Sequence, residues 1–152
     1  MKFYRLEPEV AGGLEPDTLM DRSVSPPQVK RLNYEFDGWS GDGLLESFPC
    51  FIVTESLANE IRHLHPTGIE LANVEISKSS QFEELYPAQS LPKFMWLKVS
   101  GTPGKDDFGI SGDYRLVVSE QALNILKSFG LSHCDIADCT SNDQDGSNSK
   151  AD

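Results

Sequence analysis

Three histidines and three cysteines are the side chains of this chain best suited to catalysis or metal binding, and their spacing builds no complete set. His63 and His65 stand two residues apart at the end of a helical pattern, so they do not share a helix face and lack a third ligand nearby. The dipole of a helix C-terminus favours an imidazolium there, which is a sufficient use for them. In SHCDIADC, His133, Cys134 and Cys139 form a partial metal set, but no second pair completes four ligands. A short final strand around Ile136 is the simpler use of that segment. Glu83 and Glu84 are adjacent and point apart on a helical turn, which suits a solvated face and not a shared proton. Asp107-Phe108-Gly109 matches a kinase motif in letters only, because the nucleotide loop, strand lysine and catalytic loop are absent. No nucleophile–base pair or phosphate loop is legible, so catalytic residues, cofactors and metals are all expected to be none.

Two acidic, glycine-rich loops remain. DGWSGDG, Asp37 to Gly43, combines three glycines and two aspartates around Trp39. Asp37 and Asp42 could meet a hard cation, but the spacing of a calcium loop with its late glutamate is missing. Trp39 has two uses: an exposed anchor for a partner, or a plug folded onto the core, the commoner fate of an aromatic in a tight loop. Asp106 and Asp107 lie in the second loop. Asp37, Trp39, Asp42, Asp106 and Asp107 are the candidate partner-binding residues.

The elements that must position these loops follow from periodicity. In DYRLVVSEQALNILKSFGL, residues 113–131, Tyr114, Leu116 and Val118 alternate as a strand does. Ser119 then offers a hydroxyl to the open N–H groups of a helix, and Glu120 stands beside its positive end. Ala122, Leu123, Ile125, Leu126 and Phe129 make one apolar face, Lys127 sits in the last turn and Gly130 is the left-handed stop. The unit recurs in CFIVTESLANEIRHL, residues 50–64, with Thr54 and Glu55 as cap and acid and with Leu57, Ala58, Ile61 and Leu64 as the buried face.

Strands are also expected over Lys2–Leu6, Val29–Phe36 and Ile69–Ile76. Phe94–Val99 is apolar on both sides and therefore belongs in a sheet interior, with Met95, Leu97 and Val99 facing one way and Phe94 and Trp96 the other. An irregular loop could join it antiparallel to Tyr114–Val118. Ser79–Tyr86 suits one helical turn, and residues 8–28, rich in proline and glycine, read as a long loop. The sum is an α+β fold, a mainly antiparallel sheet with two short capped helices. Residues 1–139 form a single domain, and residues 140–152, polar and without an aromatic, form a disordered acidic tail that folding does not require.

The totals narrow the partners. At 152 residues there is room for one respectable core, and no apolar run is long enough to cross a bilayer. The N-terminal MKFYRLEPEV lacks the features of a secretory signal, and an odd number of cysteines fits a reducing, cytoplasmic setting. The net charge is −11; the residues from Asp135 onward carry −4, which leaves −7 on the body. Such a surface repels nucleic acid and anionic membrane and favours a basic partner, unless the charge serves only solubility.

The units FIVTESLANEI and LVVSEQALNIL, together with GIELANVEIS and FMWLKVSG, resemble the small immunity proteins of bacterial polymorphic-toxin and type VI secretion effector systems. The resemblance spans roughly Leu32 to Ile136, about the size of one domain. It implies a cytoplasmic, non-enzymatic α+β protein that binds and neutralises one cognate toxin, through an acidic surface if the charge serves recognition. Two other classes compete: a small cytosolic enzyme in which His63 or His65 meets a carboxylate in a pocket, and an adaptor with no toxin partner.

Overall fold

A computed structural model describes residues 2–14, 19–21, 23 and 28–139. The expected tail, residues 140–152, lies outside the described residues. The fold is α+β and mainly antiparallel. Two cores lie on opposite faces of one central sheet, which explains why its strands are apolar on both sides.

That sheet contains β6 (Leu44–Ser47), β7 (Cys50–Thr54), β8 (Ile69–Asn73) and β10 (Phe94–Val99), in the order β6-β7-β10-β8 and antiparallel throughout. Strand alternation divides its side chains. Leu44, Phe51, Val53 and Leu97 enter the first core, with Met95 and Val99 packed against it. Leu45, Cys50, Ile52, Phe94 and Trp96 enter the second.

A second sheet, β11-β12-β1-β13, faces the first core. Its strands are β1 (Phe3–Glu7), β11 (Phe108–Ile110), β12 (Leu116–Ser119) and β13 (Asp135–Asp138), and it contributes Leu6, Phe108, Leu116 and Val118. The helices α1 (Glu55–Leu64) and α3 (Glu120–Ser128) close this core with Leu57, Ala58, Ile61, Ala122, Leu123 and Leu126. They run antiparallel. Gly43 bonds to Thr54 at the start of α1 and to Gly130 past the end of α3, while Thr67 beyond α1 bonds to Asp107, which also holds Ser119 at the start of α3.

The second core is covered by β2 (Gly12–Leu14), β5 (Asn33–Phe36) and β9 (Glu75–Lys78), in the order β2-β5-β9, the β5–β9 pair being parallel. It holds Leu32, Tyr34 and Phe36, and Phe82 from α2 (Ser80–Leu85). Buried Tyr34 has its hydroxyl satisfied, accepting from the Ala11 amide at 3.0 Å and donating to the Glu46 carbonyl at 3.0 Å. A two-stranded ribbon joins β3 (Leu19–Asp21) to β4 (Gln28–Arg31).

Both strand–cap–helix units form as expected. Leu57 N–H donates to Thr54 Oγ1 at 3.3 Å and Ala122 N–H to Ser119 Oγ at 3.3 Å. Gly130, at φ 92°, follows α3 in the left-handed region. Ser119 does more than Thr54: it is fully buried, and its hydroxyl also donates to Asp107 Oδ1 at 2.7 Å. Thr54→Ala is therefore expected to cost about 0.5–2 kcal/mol. Ser119→Ala is expected to cost more, since the carboxylate loses a donor as well. Denaturant midpoints for the two variants check this order.

Several strands are shorter than periodicity suggests, because the chain changes sheets. Val29–Phe36 divides at buried Leu32, and Ile69–Ile76 divides at Val74, so that β8 joins the central sheet and β9 joins β5. Phe94–Val99 pairs with β7 and β8, not with β12, which belongs to the other sheet. Among the described residues, the expected loop at 8–28 contains β2, β3, the first residue of β4 and an isolated bridge from Glu9 to Leu45. A third helix, α2, grows from the expected turn and is capped by Ser79, which accepts from the Phe82 amide at 3.1 Å.

Candidate interaction groove and a carboxylate–histidine cluster

The hairpin β6–β7 pairs Ser47 with Cys50, which leaves Phe48 and Pro49 as its two-residue tip. Phe48 is 50% exposed and meets Tyr114, 38% exposed, with ring centroids 5.7 Å apart in an edge contact. Tyr114 is held by a tight turn rather than by a strand. Its φ is 65°, its N–H donates to the Ser111 carbonyl at 2.9 Å, and the Arg115 amide donates to Ser111 Oγ at 3.1 Å. The start of the expected strand at Tyr114 is thus corrected: pairing begins at Leu116.

These two rings border a groove of about 420 Å³ lined mainly by apolar side chains, among them Val29, Trp96 and Ile110. Lys98 Nζ lies over the Trp96 ring, 4.9 Å from its centroid. Glu46 is on the wall. Burial pushes its carboxyl above the usual value, Arg115 draws it down, and Glu7 pushes it up. A partially desolvated carboxyl of this kind gains from a cation brought by a partner.

The five residues expected at a partner surface do not form one. Trp39 is the plug: its indole N–H donates to the Asp42 carbonyl at 2.9 Å and its ring meets Phe94 edge-on at 5.8 Å, against the second core. Asp42 is corrected from surface to interior. It is 2% exposed, and its carboxylate accepts from the amides of Ser132 at 3.0 Å and His133 at 2.8 Å. Asp37 is exposed and lines a polar cleft of about 460 Å³ with Glu9, Ser40 and Tyr86. Asp106 and Asp107 lie toward the far end of β10, near Gly101. The Phe94 and Val99 ends of that strand are roughly 17 Å apart at about 3.3 Å per residue.

Asp106 accepts from the Thr102 amide at 2.7 Å. Asp107 accepts from Thr67 N–H at 3.1 Å and from Gln121 Nε2 at 3.3 Å, besides the Ser119 bond. Desolvation pushes the Asp107 carboxyl up, but hydrogen bonds from Ser119, Thr67 and Gln121 outweigh it and hold the group below its ordinary 3.8. A carboxylate with a depressed folded-state value adds stability above the ordinary value, and the contribution disappears as pH falls through the lower one. Wild type is therefore expected to lose more stability than Asp107→Asn between about pH 5 and about pH 2. Urea midpoints across that range check it, and parallel losses in the two proteins would contradict it.

The other chemistry-bearing residues fall as follows. His63 contacts Glu60 at 3.8 Å with both side chains largely exposed. His65 ends α1 in the left-handed region and borders a shallow depression with Ile61, Arg62, Pro66, Ile69 and Leu71. Burial pushes the Cys50 thiol up to about 12. Burial likewise pushes Cys134 up to about 11 against a backbone hydrogen bond from Glu7, so neither thiol is a thiolate near neutrality. His133 is the histidine that stands with two carboxylates. Its Nδ1 is 3.3 Å from Asp42 Oδ1, and Glu9 completes a group whose ligand atoms all lie within 4.8 Å of one another. Among the described residues no helix is long and apolar enough to cross a membrane.

No protein-family model, curated protein or solved structure matches the chain.

Proposed function

We propose that this chain is a non-enzymatic immunity-type protein that neutralises a cognate protein toxin by binding it stoichiometrically, with the Phe48–Tyr114 groove as the docking surface. The observation that carries this reading is the pair of exposed aromatic rings, one on a hairpin tip and one on a tight turn, at the edge of an apolar groove. Aromatic side chains around a concave apolar patch are the usual composition of a binding hot spot. The fitting partner inserts an apolar side chain between them and places basic groups against Glu46 and the generally acidic surface, whose net charge of −11 steers association. This relocates the surface from the Asp37–Asp42 loop to the hairpin tip and keeps the acidic complementarity.

Phe48→Ala and Tyr114→Ala are each expected to weaken binding by about 2 kcal/mol, roughly 30-fold, mainly through faster dissociation. Both residues are substantially exposed, so urea midpoints should move little. Surface-plasmon kinetics on the partner recovered from the source cells checks this. Unchanged dissociation rates in both variants would remove the groove as the docking surface.

A further inference from the structure

Three segments remote in sequence converge beside β6, the edge strand of the central sheet. Glu9 is held there by backbone bonding, its carbonyl accepting from the Glu46 amide at 2.9 Å beside the Glu9–Leu45 bridge. Asp42 is fixed by the indole of Trp39 and by the amides of Ser132 and His133. His133 lies in the turn that leads into β13. We propose that Glu9, Asp42 and His133 form a binding site for a divalent cation of the zinc class, which ties the N-terminal segment, the DGWSGDG loop and the approach to β13 together.

Two independent observations support the site. The first is the donor set: one imidazole nitrogen and two carboxylate oxygens, all within 4.8 Å of one another. For metal–ligand bonds of about 2.0–2.1 Å, tetrahedral geometry separates two ligand atoms by about 3.4 Å. The His133 Nδ1 to Asp42 Oδ1 distance is already 3.3 Å. Only the Glu9 carboxylate has to draw in, by at most about 1.4 Å on the same geometry.

The second is that Glu9 Oε1 is fully buried with no hydrogen-bond partner. A buried carboxylate oxygen left in that condition is costly, and a cation resolves it. His133 is 50% exposed at its side chain, and Glu9 borders the 460 Å³ polar cleft, so an ion and its water ligands have access. A nitrogen among three ligands suits zinc, whereas calcium requires six to eight oxygens. The site is distinct from the Phe48–Tyr114 groove and stands or falls independently of the toxin-binding reading.

The test is calorimetric titration of the full chain with zinc chloride, paired with melting curves with and without the metal. Wild type is expected to bind one equivalent and to melt at a higher temperature when loaded, with calcium bound at least tenfold more weakly. Glu9→Gln and His133→Ala are each expected to weaken zinc binding at least tenfold while circular dichroism shows the fold retained. Cys134→Ser and Cys139→Ser are expected to bind like wild type. Absence of zinc binding overturns the site, as does affinity unchanged by both Glu9→Gln and His133→Ala. Loss of binding in the cysteine variants would also overturn it, by placing the metal on the thiols.

Discussion

Leu126→Ala is expected to lower the free energy of unfolding by about 2–5 kcal/mol, toward the upper end of that range. Leu126 has no exposed surface and belongs to the core formed by α1, α3, the central sheet and the β1-containing sheet. Truncation removes the transfer energy of the lost methyl groups and leaves a cavity within that core. Two sheets and two helices tied at both ends by backbone bonds leave that cavity little room to collapse, which raises the cost. Ile125, one position earlier and only partly buried, is a control whose truncation should cost less. Urea midpoints at unchanged slope measure both, and equal costs would mean that α3 does not pack by the observed face.

Gly68→Ala is expected to be comparably damaging, about 3 kcal/mol or more. Gly68 sits at φ 93°, and a Cβ there would stand 2.1 Å from the Phe108 carbonyl oxygen. That oxygen belongs to backbone and cannot rotate away. The residue is further locked by its own carbonyl, which accepts from Ser100 at 2.8 Å and Gly101 at 3.1 Å, while Phe108 donates to the Thr67 carbonyl at 3.1 Å. Relief of the clash would have to pull β11 away from the end of α1. A midpoint close to wild type would contradict this close backbone approach.

What was legible in the sequence was local. Thr54 and Ser119 announce caps because a hydroxyl followed by an acid and an apolar helical period lies within one turn of chain. The two-sided apolar run at Phe94–Val99 identified a strand covered on both faces, and the residues divide between the two cores as expected. The breaks at Leu32 and Val74 were not legible, since alternation continues across a change of sheet and no proline or glycine marks it. β2 and β3 are three residues each, too short for a period to show.

The candidate sites were less legible for the same reason. Asp42 and His133 are 91 residues apart and Glu9 belongs to a third segment, so no spacing could connect them. Asp42 and His133 each stood in a partial cation set, but with the wrong companions, Asp37 in one case and Cys134 and Cys139 in the other. Trp39 went to the core because the carbonyl of Asp42 and the ring of Phe94 satisfy both its N–H and its area. Phe48 and Tyr114 could have been noticed as aromatics beside turn residues, in SFPC and SGDY, but their meeting needs the fold.

The central claim, that the chain acts by occupying a toxin and not by turnover, is tested most directly by titrating it against a fixed amount of the partner recovered from the source cells and measuring the residual toxic activity at each molar ratio. Residual toxic activity that falls linearly to a sharp end point at one chain per toxin, with the curve right-shifted and blunted for the Phe48→Ala/Tyr114→Ala double variant, is the expected result. Complete protection by a small fraction of an equivalent would show that the chain modifies its target and would contradict the claim.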